Sequence, residues 1–466
     1  MPLEKADVEP GFCSCRAERT EKFFSYLRPV VLHLLTINRL RLMSSNSTSV
    51  CARLFAKKSF ILLLALLSAA SIARAQDAVR PSLAGETAAA ARSQSLDRIP
   101  YNLLLGPIRF RFSATAGVEY NDNINLSEVD EKSDFIVKPQ VNVDAIWPIT
   151  QLNTLKLDLG IGYNFYIQHS RQDTNTILLS PGSQLAFDIF VGDFRINIHD
   201  RFSLQQDPIA QIGLSNVADY GRFENYAGVN VLWDLNKAVA TLGYDHYNYI
   251  STTSQFDYLD RNAEIVSGSF LVNLSSTTGI GIEGNLVDTY YDQNVLNDSL
   301  SFSGGLFLET QITNNVKLRV AGGYQGINFD NTGSVADSSD LRDYYVNGLL
   351  THRINASISQ SLSAGHETML GVNSNYTTLN YVRHSSTWNV ITHTIISTEL
   401  FYEDADDSGG FFSEHMNRYG GAFALGYQLT PHVTLGARYQ YTQKDSDKPL
   451  RDYEQNRVSI DGTYSF

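Results

Sequence analysis

The chain has 466 residues, of which 43% are hydrophobic and 18% charged, and its formal net charge is −13. The negative sign disfavours nucleic-acid partners, and a mean hydropathy of −0.17 with one short apolar run excludes a helical membrane protein. All three cysteines lie within the first 51 residues, so the rest of the chain is expected to fold without disulfides.

The apolar run, Phe60–Ala70, is about eleven residues long and is typical of a secretory signal peptide. Two lysines precede it, and Ala73-Arg74-Ala75 places small residues at both positions that flank a cleavage site. The run is too short to cross a bilayer, which takes about 20 residues. Residues 43–75 are therefore predicted to be a signal peptide cleaved before Gln76, with a buried helix as the alternative.

Two further segments precede the first predicted strand of the main domain. Residues 1–42 fit neither a signal peptide nor a barrel, and Met43 stands where a signal peptide normally begins. We interpret 1–42 as a mis-assigned start, with a genuine extension as the alternative. Residues 76–108 show no sustained strand period and are predicted to be a short periplasmic leader, the alternative being a plug inside a barrel.

Beyond residue 108, apolar and polar residues alternate with a period of two, which predicts β-strands. The clearest case is Leu155–Gln168, where apolar residues occupy every odd position. Eight short turns and nine longer polar segments separate eighteen predicted strands. The turns are predicted near 151–153, 192–193, 236–237, 275–278, 313–315, 355–357, 392–394 and 430–432.

The last strand, Asn456–Phe466, alternates up to an aromatic carboxyl terminus. One apolar face and one polar face suit a strand that lies between lipid and water. Tyr464 and Phe466 resemble the terminal signature that barrel-assembly machinery reads, so both are predicted to form an assembly signal. An edge strand of a soluble sheet is the alternative.

These features predict an all-β fold, a transmembrane antiparallel up-and-down β-barrel of about 18 strands over residues 109–466. Short turns would face the periplasm and long loops the outside, and the barrel would contact the lipid and lipopolysaccharide of a Gram-negative-type outer membrane. A β-propeller has a similar hairpin period of about forty residues, but the Trp-Asp pair typical of its blades occurs once, at Trp233-Asp234.

Tyrosines near the strand ends are expected to form interfacial girdles around such a barrel. They are Tyr244, Tyr247, Tyr249, Tyr290, Tyr291, Tyr344, Tyr345, Tyr439 and Tyr441.

The segment Gly117–Ile124 contains Tyr120-Asn121-Asp122-Asn123-Ile124, and it resembles the first strand of the "putative β-barrel porin 2" family. The resemblance implies a porin-like outer-membrane barrel of a group that often accompanies exopolysaccharide export. It therefore implies a channel for small solutes or polysaccharide, with export components as partners. The same three polar residues also suit an ordinary strand-to-loop transition.

Polar residues on the inward register of several strands are the candidate pore lining. They are Lys156, Asp158, Glu283, Asn285, Glu309, Lys317, Arg319, Arg438 and Gln440. Both signs of charge occur, as in pores that select ions, and eighteen strands leave room for an aqueous channel. The alternative is a structural or surface-interaction barrel whose interior is closed by its own salt bridges.

Two other patterns carry possible chemistry, although we expect neither catalysis nor a cofactor. His384 and Ser386 share one strand face, as in a lipid-active barrel enzyme, but no third catalytic group is apparent. Asp404, Asp406 and Ser408 alternate in a predicted loop at 404–417 and form a weak candidate calcium site, the alternative being a solvated acidic loop.

Overall fold

The computed structural model describes residues 82–170, 177–335, 337–389, 391–410 and 413–466. The predicted signal peptide and the segment 1–42 lie outside the described residues and stay predictions. The leader contributes one helix, α1 (Glu86–Asp97), to the described part of the chain. No helix among these residues is long and apolar enough to cross a membrane.

The described strands belong to a single antiparallel sheet. In chain order they are β1 (Leu103–Leu105), β2 (Ile108–Asn121), β3 (Asp134–Pro148), β4 (Asn153–Gly162), β5 (Phe165–Tyr166), β6 (Leu178–Leu179), β7 (Gln184–Val191), β8 (Phe194–Gln205), β9 (Arg222–Asp234), β10 (Ala238–Ser251), β11 (Arg261–Asn273), β12 (Thr278–Tyr291), β13 (Ser299–Thr313), β14 (Val316–Phe329), β15 (Leu341–Arg353), β16 (Ile358–Leu370), β17 (Tyr376–Trp388), β18 (Thr394–Asp407), β19 (His415–Gln428), β20 (Val433–Ser446) and β21 (Tyr453–Ser465).

Eighteen of these strands close into a barrel, and the prediction of about 18 is confirmed. The wall consists of β2, β3, β4 and β7 to β21, and β21 returns to pair with β2, with Tyr464 opposite Ala114. The short strands β1, β5 and β6 are additions to this wall. Closure pairs the first strand with the last, so the barrel has no open sheet edge at that point.

The eight short connections occur where the sequence predicts them, at the end of the barrel where β2 begins. Three of them place residues in the left-handed region, Gly192 at φ 57°, Asn236 at φ 70° and His393 at φ 61°, which is typical of tight hairpin turns. Long loops join the strands at the other end. Two 3₁₀ turns, Pro208–Ala210 and Ser254–Leu259, lie in these loops.

The predicted strand Leu155–Gln168 is interrupted. β4 ends at Gly162 and β5 resumes at Phe165, in the same register against β3. The break lies opposite Pro139 of β3, which has no backbone N–H and therefore cannot complete the ladder on both sides.

The outer face is apolar, as the alternating pattern predicts, and Leu242, Leu306 and Ile460 are each more than 60% exposed on it. The expectation for the tyrosines is only half right. Tyr244, Tyr290, Tyr344 and Tyr439 are exposed on the outside, whereas Tyr247, Tyr249 and Tyr291 are buried inside the barrel. The side chain of Tyr345 also points inward and reaches a luminal carboxylate. Neighbours one residue apart along a strand face opposite sides, so adjacent tyrosines cannot all belong to a girdle.

Candidate functional site: the lumen and the loop that crosses it

Several predicted lining residues come together in the half of the lumen nearer the short turns. Glu283, Asn285, Glu309 and Arg319 line one cavity of about 400 Å³, and Lys317 lies in an adjoining one with Glu309 and Arg319. Arg319 donates to Glu283 Oε2 at 2.7 Å and to Glu309 Oε1 at 3.1 Å. The guanidinium therefore bridges two carboxylates from neighbouring strands.

Tyr345 of β15 completes this network, because its hydroxyl donates to Glu283 Oε1 at 3.1 Å. To reach β12 the ring passes over Gly305, where a Cβ atom would lie 2.4 Å from the tyrosine oxygen. The glycine thus makes room for a side chain that lies across the wall.

The remaining predicted residues also face inward, and most of them have polar partners. Lys156 Nζ lies 3.6 Å from Asp188 Oδ2, and Asp158 accepts from Gln184 at 2.8 Å. Arg438 donates to Glu399 at 2.8 Å, and Asn285 donates to Ser303 at 3.4 Å. Gln440 is registered beside Arg457 of β21. Whether these residues line a conducting path stays a prediction.

The inward path of the loop between β8 and β9, residues 206–221, is the main feature that the sequence did not predict. Four basic side chains from β19 to β21 and their connecting loop hold it, although β2, β3, β4 and β7 separate that wall from β8. Arg418 donates to the Ile209 carbonyl at 2.7 Å, and Arg451 to the Gly213 carbonyl at 2.6 Å. The other two contacts are Lys444 to Ser215 Oγ at 3.1 Å and Arg457 to Asp207 Oδ2 at 2.7 Å. The loop therefore crosses the lumen.

Buried carboxylates hold these basic groups in place. Glu403 accepts two bonds from Arg418, at 2.6 and 2.9 Å, and two from Arg383, at 2.8 and 3.2 Å. Glu119 lies 2.9 Å from Arg457 and 2.8 Å from Lys138. Charge-assisted bonds of this kind are short and directional, so each arginine presents its remaining N–H groups to the loop in a fixed orientation.

Apolar contacts reinforce the crossing. Ile212, near the middle of the loop, packs with Leu379, Ala405 and Met416 of the far wall. Leu214 and Tyr220 of the same loop belong to a second buried cluster. The other members of that cluster are Tyr247, Tyr249, Phe256, Leu259, Ala263, Tyr291, Leu296 and Val372. Several long loops thus fold inward rather than away from the barrel.

The inward tyrosines surround Arg261. Its guanidinium lies 4.3 Å from the centre of the Tyr249 ring and 5.7 Å from that of Tyr291, which are cation–π distances. Arg261 also donates to the Leu259 carbonyl at 3.0 Å. The tyrosines therefore stabilise the inward position of the loop at 252–260.

A carboxylate joins three of the long loops. Asp337 accepts from the Ser339 and Asn375 backbone N–H groups, each at 2.9 Å, and from Ser408 Oγ at 2.6 Å. Burial alone would raise the pKa of Asp337, but these hydrogen bonds bring it below the ordinary value. Burial raises the pKa of Asp219 in the crossing loop, where hydrogen bonds oppose the shift only in part.

The predicted acidic loop is wrong in position. Asp404 and Asp406 lie within β18, which continues to Asp407, so the connection to β19 is shorter than expected. His415 hydrogen-bonds Asp406 at 2.7 Å, and Ser408 donates to Asp337. Among the described residues, no group of three or more His, Cys, Asp or Glu side chains could hold a metal ion.

His384 and Ser386 do share the outward face of β17, as predicted. Ser386 Oγ, however, forms a hydrogen bond of 2.7 Å with Thr398 Oγ1. Within the described part of the chain, no hydrogen bond joins Ser386 to His384, and the buried Nδ1 of His384 has no partner. The arrangement lacks an activated nucleophile.

The carboxyl terminus lies at the end of the barrel that carries the short turns. Phe466 donates its backbone N–H to the Phe112 carbonyl at 3.2 Å, and its ring packs edge-on against Tyr464 with centroids 5.1 Å apart. Both rings are about half exposed. Their role as an assembly signal stays a prediction.

The leader helix lies near the same end of the barrel. Arg92 of α1 stacks 3.7 Å above the Phe190 ring, and the Ala84 N–H donates to the Gly192 carbonyl at 2.9 Å. The described part of the leader therefore docks on the β7–β8 turn.

The sequence offered a signal for some of the missed residues. Arg457 stands on the polar face of the last strand, and Arg418 and Glu403 obey the same inward alternation as the predicted set. Their importance depends on the loop at 206–221, whose path across the lumen leaves no periodic pattern.

The comparisons with known proteins agree with this architecture. The family model described as "Putative beta-barrel porin 2" matches residues 105–465. The chain belongs to this family. It is accordingly a porin-like outer-membrane β-barrel, and the predicted family, fold class and porin character are confirmed.

Solved porin structures resemble this porin at low sequence identity. OccK5 (OpdH) of Pseudomonas aeruginosa is 11% identical with a TM-score of 0.45, over 78% of this chain and 99% of its own. OccK2 (OpdF) of the same organism, in complex with glucuronate, is 10% identical with a TM-score of 0.46, over 78% of this chain and 100% of its own. A BenF-like porin from Pseudomonas fluorescens Pf-5 is 10% identical with a TM-score of 0.47, over 77% of this chain and 99% of its own. No curated protein sequence matches the chain.

Proposed function

We propose that this porin is a passive channel for small polar solutes, with its narrowest part formed by the loop at 206–221. The observation that carries the proposal is the attachment of this loop to Arg418, Lys444, Arg451 and Arg457 on the far wall. An eighteen-stranded barrel alone encloses a wide aqueous space, and a segment fixed across it narrows the path. Charged groups of both signs beside the narrowing would select among ions.

The same observation favours small solutes over exopolysaccharide. A sugar polymer needs a continuous wide path, whereas the inward loops fill part of the lumen with buried side chains such as Ile212, Tyr220 and Phe256. The proposed role includes no catalysis, because Ser386 Oγ hydrogen-bonds Thr398 and, in the described part of the chain, His384 does not hydrogen-bond it. A structural barrel with a closed interior is the rival function.

Liposome swelling tests the size limit. Purified porin in liposomes should admit mono- and disaccharides and exclude long oligosaccharides. A variant that lacks residues 209–216 should admit longer sugars at an increased rate. Swelling that is absent for every sugar with correctly folded porin would favour the structural barrel. Swelling by long oligosaccharides with the intact loop would favour polysaccharide passage.

A further inference from the structure

The wall of the barrel is split at one junction. Registered pairs between β15 and β16 run from Arg353↔Ser359 to Val346↔His366 and then stop. Both strands continue beyond this point. Residues 342–345 of β15 therefore face residues 367–370 of β16 without a registered partner, and all of these residues are described. At about 3.3 Å per residue the gap in the ladder is on the order of 13 Å long. It lies in the half of the wall nearer the long loops.

The strands on either side are fully paired at this height. β14 pairs with β15 up to Ile327↔Leu341, and β16 pairs with β17 up to Leu370↔Tyr376. The break therefore belongs to the β15–β16 junction, and we refer to residues 342–345 and 367–370 as the seam.

Side chains replace the missing ladder. Asp343 Oδ2 lies 2.8 Å from His366 Nε2, and Gln325 Nε2 donates to Thr368 Oγ1 at 3.0 Å. The backbone of Tyr344 is also satisfied by side chains, since its N–H donates to Asp343 Oδ1 at 2.8 Å and its carbonyl accepts from Gln325 at 3.1 Å. Few bonds cross the seam, and each of them joins side chains that can change rotamer.

An apolar cluster lies at the long-loop end of the seam. Ile327, Phe329 and Leu341 form a buried cluster inside the barrel, and Leu370 and Tyr376 pack against it. Nearer the short turns, β14, the strand of Ile327 and Phe329, also carries Lys317 and Arg319. A molecule that enters at the long-loop end of the seam would therefore contact these hydrophobic side chains beside the polar Asp343 and Glu367.

Backbone groups that face hydrocarbon must be bonded internally, so open strand edges are normally absent from the lipid-facing part of a barrel. At the seam, side chains satisfy the N–H and the carbonyl of Tyr344, and the ladders on both sides stay intact. The seam can consequently open without disturbing the registered pairs below Val346 and His366.

We propose that the seam is a lateral passage between the lumen and the outer leaflet for a single-chain amphiphile, a molecule with one apolar tail and a polar headgroup. The tail would pass between β15 and β16 onto the cluster of Ile327, Phe329 and Leu341. This role goes beyond the solute channel and does not depend on it. A partner peptide that adds a strand to the unpaired edges is the other possible occupant.

Photolabelling in a bilayer tests the proposal. The full-length porin is placed in nanodiscs that contain a lysophospholipid with a photoreactive acyl chain, and labelled peptides are identified by mass spectrometry. Wild-type porin should be labelled at the peptide that contains Ile327 and Phe329. The variant Asp343→Cys/His366→Cys, with its native cysteines replaced by serine, should lose this label when a short cleavable thiol crosslinker joins the two positions. Reduction should restore it.

The matched control is Val266→Cys/Leu286→Cys, an outward pair directly registered between β11 and β12. The same crosslinker at this control pair should leave labelling unchanged. Crosslinking at either pair should leave ion conductance unchanged. The proposal is overturned if wild-type porin shows no label at this peptide, if the label survives crosslinking of the seam, or if the control crosslink removes it as well. Appearance of a bound peptide at residues 342–345 in place of the label would assign the seam to a protein partner.

Discussion

Arg418 Nη1 donates to the carbonyl of Ile209 at 2.7 Å, across the lumen and over 209 positions of sequence. The other side of the same guanidinium is held by Glu403, whose side chain is only 5% exposed. This ion pair in the barrel wall thus helps to fix the position of a loop that begins on a distant strand. The crossing loop is therefore part of the folded wall rather than a free surface segment.

Replacing Arg418 with alanine should loosen the loop near Ile209, which three other basic side chains still hold, and increase conductance. Glu403 would keep Arg383 as a partner, so the loss of stability should fall at or below the lower end of the range of about 3–5 kcal/mol for breaking a buried ion pair. Single-channel recording and the temperature of heat modification measure the two effects. The control is Lys448→Ala, because Lys448 lies in a long loop, it and Asp447 are 39% and 48% exposed, and such pairs contribute about 0–1 kcal/mol. Equal behaviour of the two variants would contradict the role assigned to Arg418.

Reversing the charge of Lys317 and Arg319 should shift ion selectivity toward cations. The double change to glutamate places two more carboxylates beside Glu283 and Glu309, which attracts cations and repels anions. The reversal potential in a salt gradient measures the shift. The effect should be larger at 0.1 M salt than at 1 M, because the Debye length falls from about 10 to 3 Å.

Lys448→Glu is the matched control for this pair, since Lys448 lies in a long loop outside the barrel wall. It should move the reversal potential much less. An unchanged reversal potential for Lys317→Glu/Arg319→Glu would show that these residues do not line the ion path.

Asp337→Asn should loosen the loops at 330–340, 371–375 and 408–414. The asparagine cannot accept the same charge-assisted bonds from Asn375 and Ser408, so proteolysis in these loops should become faster. The folded pKa of Asp337 lies below its unfolded value of about 3.9, so its stabilising contribution is complete above that pH and is lost as the pH falls through the folded pKa. Wild-type loops should therefore resist proteolysis equally at pH 5 and pH 7, because both values lie above the unfolded pKa, by about 1 and 3 units.

Asp330→Asn serves as the control, because the Asp330 carboxylate bonds Thr332 of its own loop. Its cleavage pattern should match that of the wild type. A pattern for Asp337→Asn that is also indistinguishable from wild type would remove Asp337 from this role.

Deleting Phe466 should impair insertion into the outer membrane. The deletion removes the ring that packs on Tyr464 and the backbone bond to Phe112. The heat-modifiable fraction in outer-membrane preparations measures insertion, and Ser465→Ala is the control. Normal insertion of the shortened chain would exclude the terminal aromatic pair as an assembly signal.

The sequence predicted the wall of the barrel better than its contents. Alternation along strands such as β4 and β21 follows from one wet and one lipid face, so strand number, turns and the inward position of Glu283 or Arg319 could be inferred. Loops have no such period. The contact of Arg418 with Ile209, and the inward side of Tyr249, depend on where the loops at 206–221 and 252–260 pack. The prediction of a loop from Asp404 onwards is wrong, because polar residues at the outer end of a strand have the composition of a loop.

The central claim is that the loop at 206–221 forms the narrowest part of an open pore. Single-channel recording of the wild type and of the variant that lacks residues 209–216 tests this claim most directly. We expect stable steps for the wild type and clearly larger steps for the variant, with both proteins heat-modifiable and therefore folded. Equal conductance in the two proteins, or no conductance in either of them, would contradict the account.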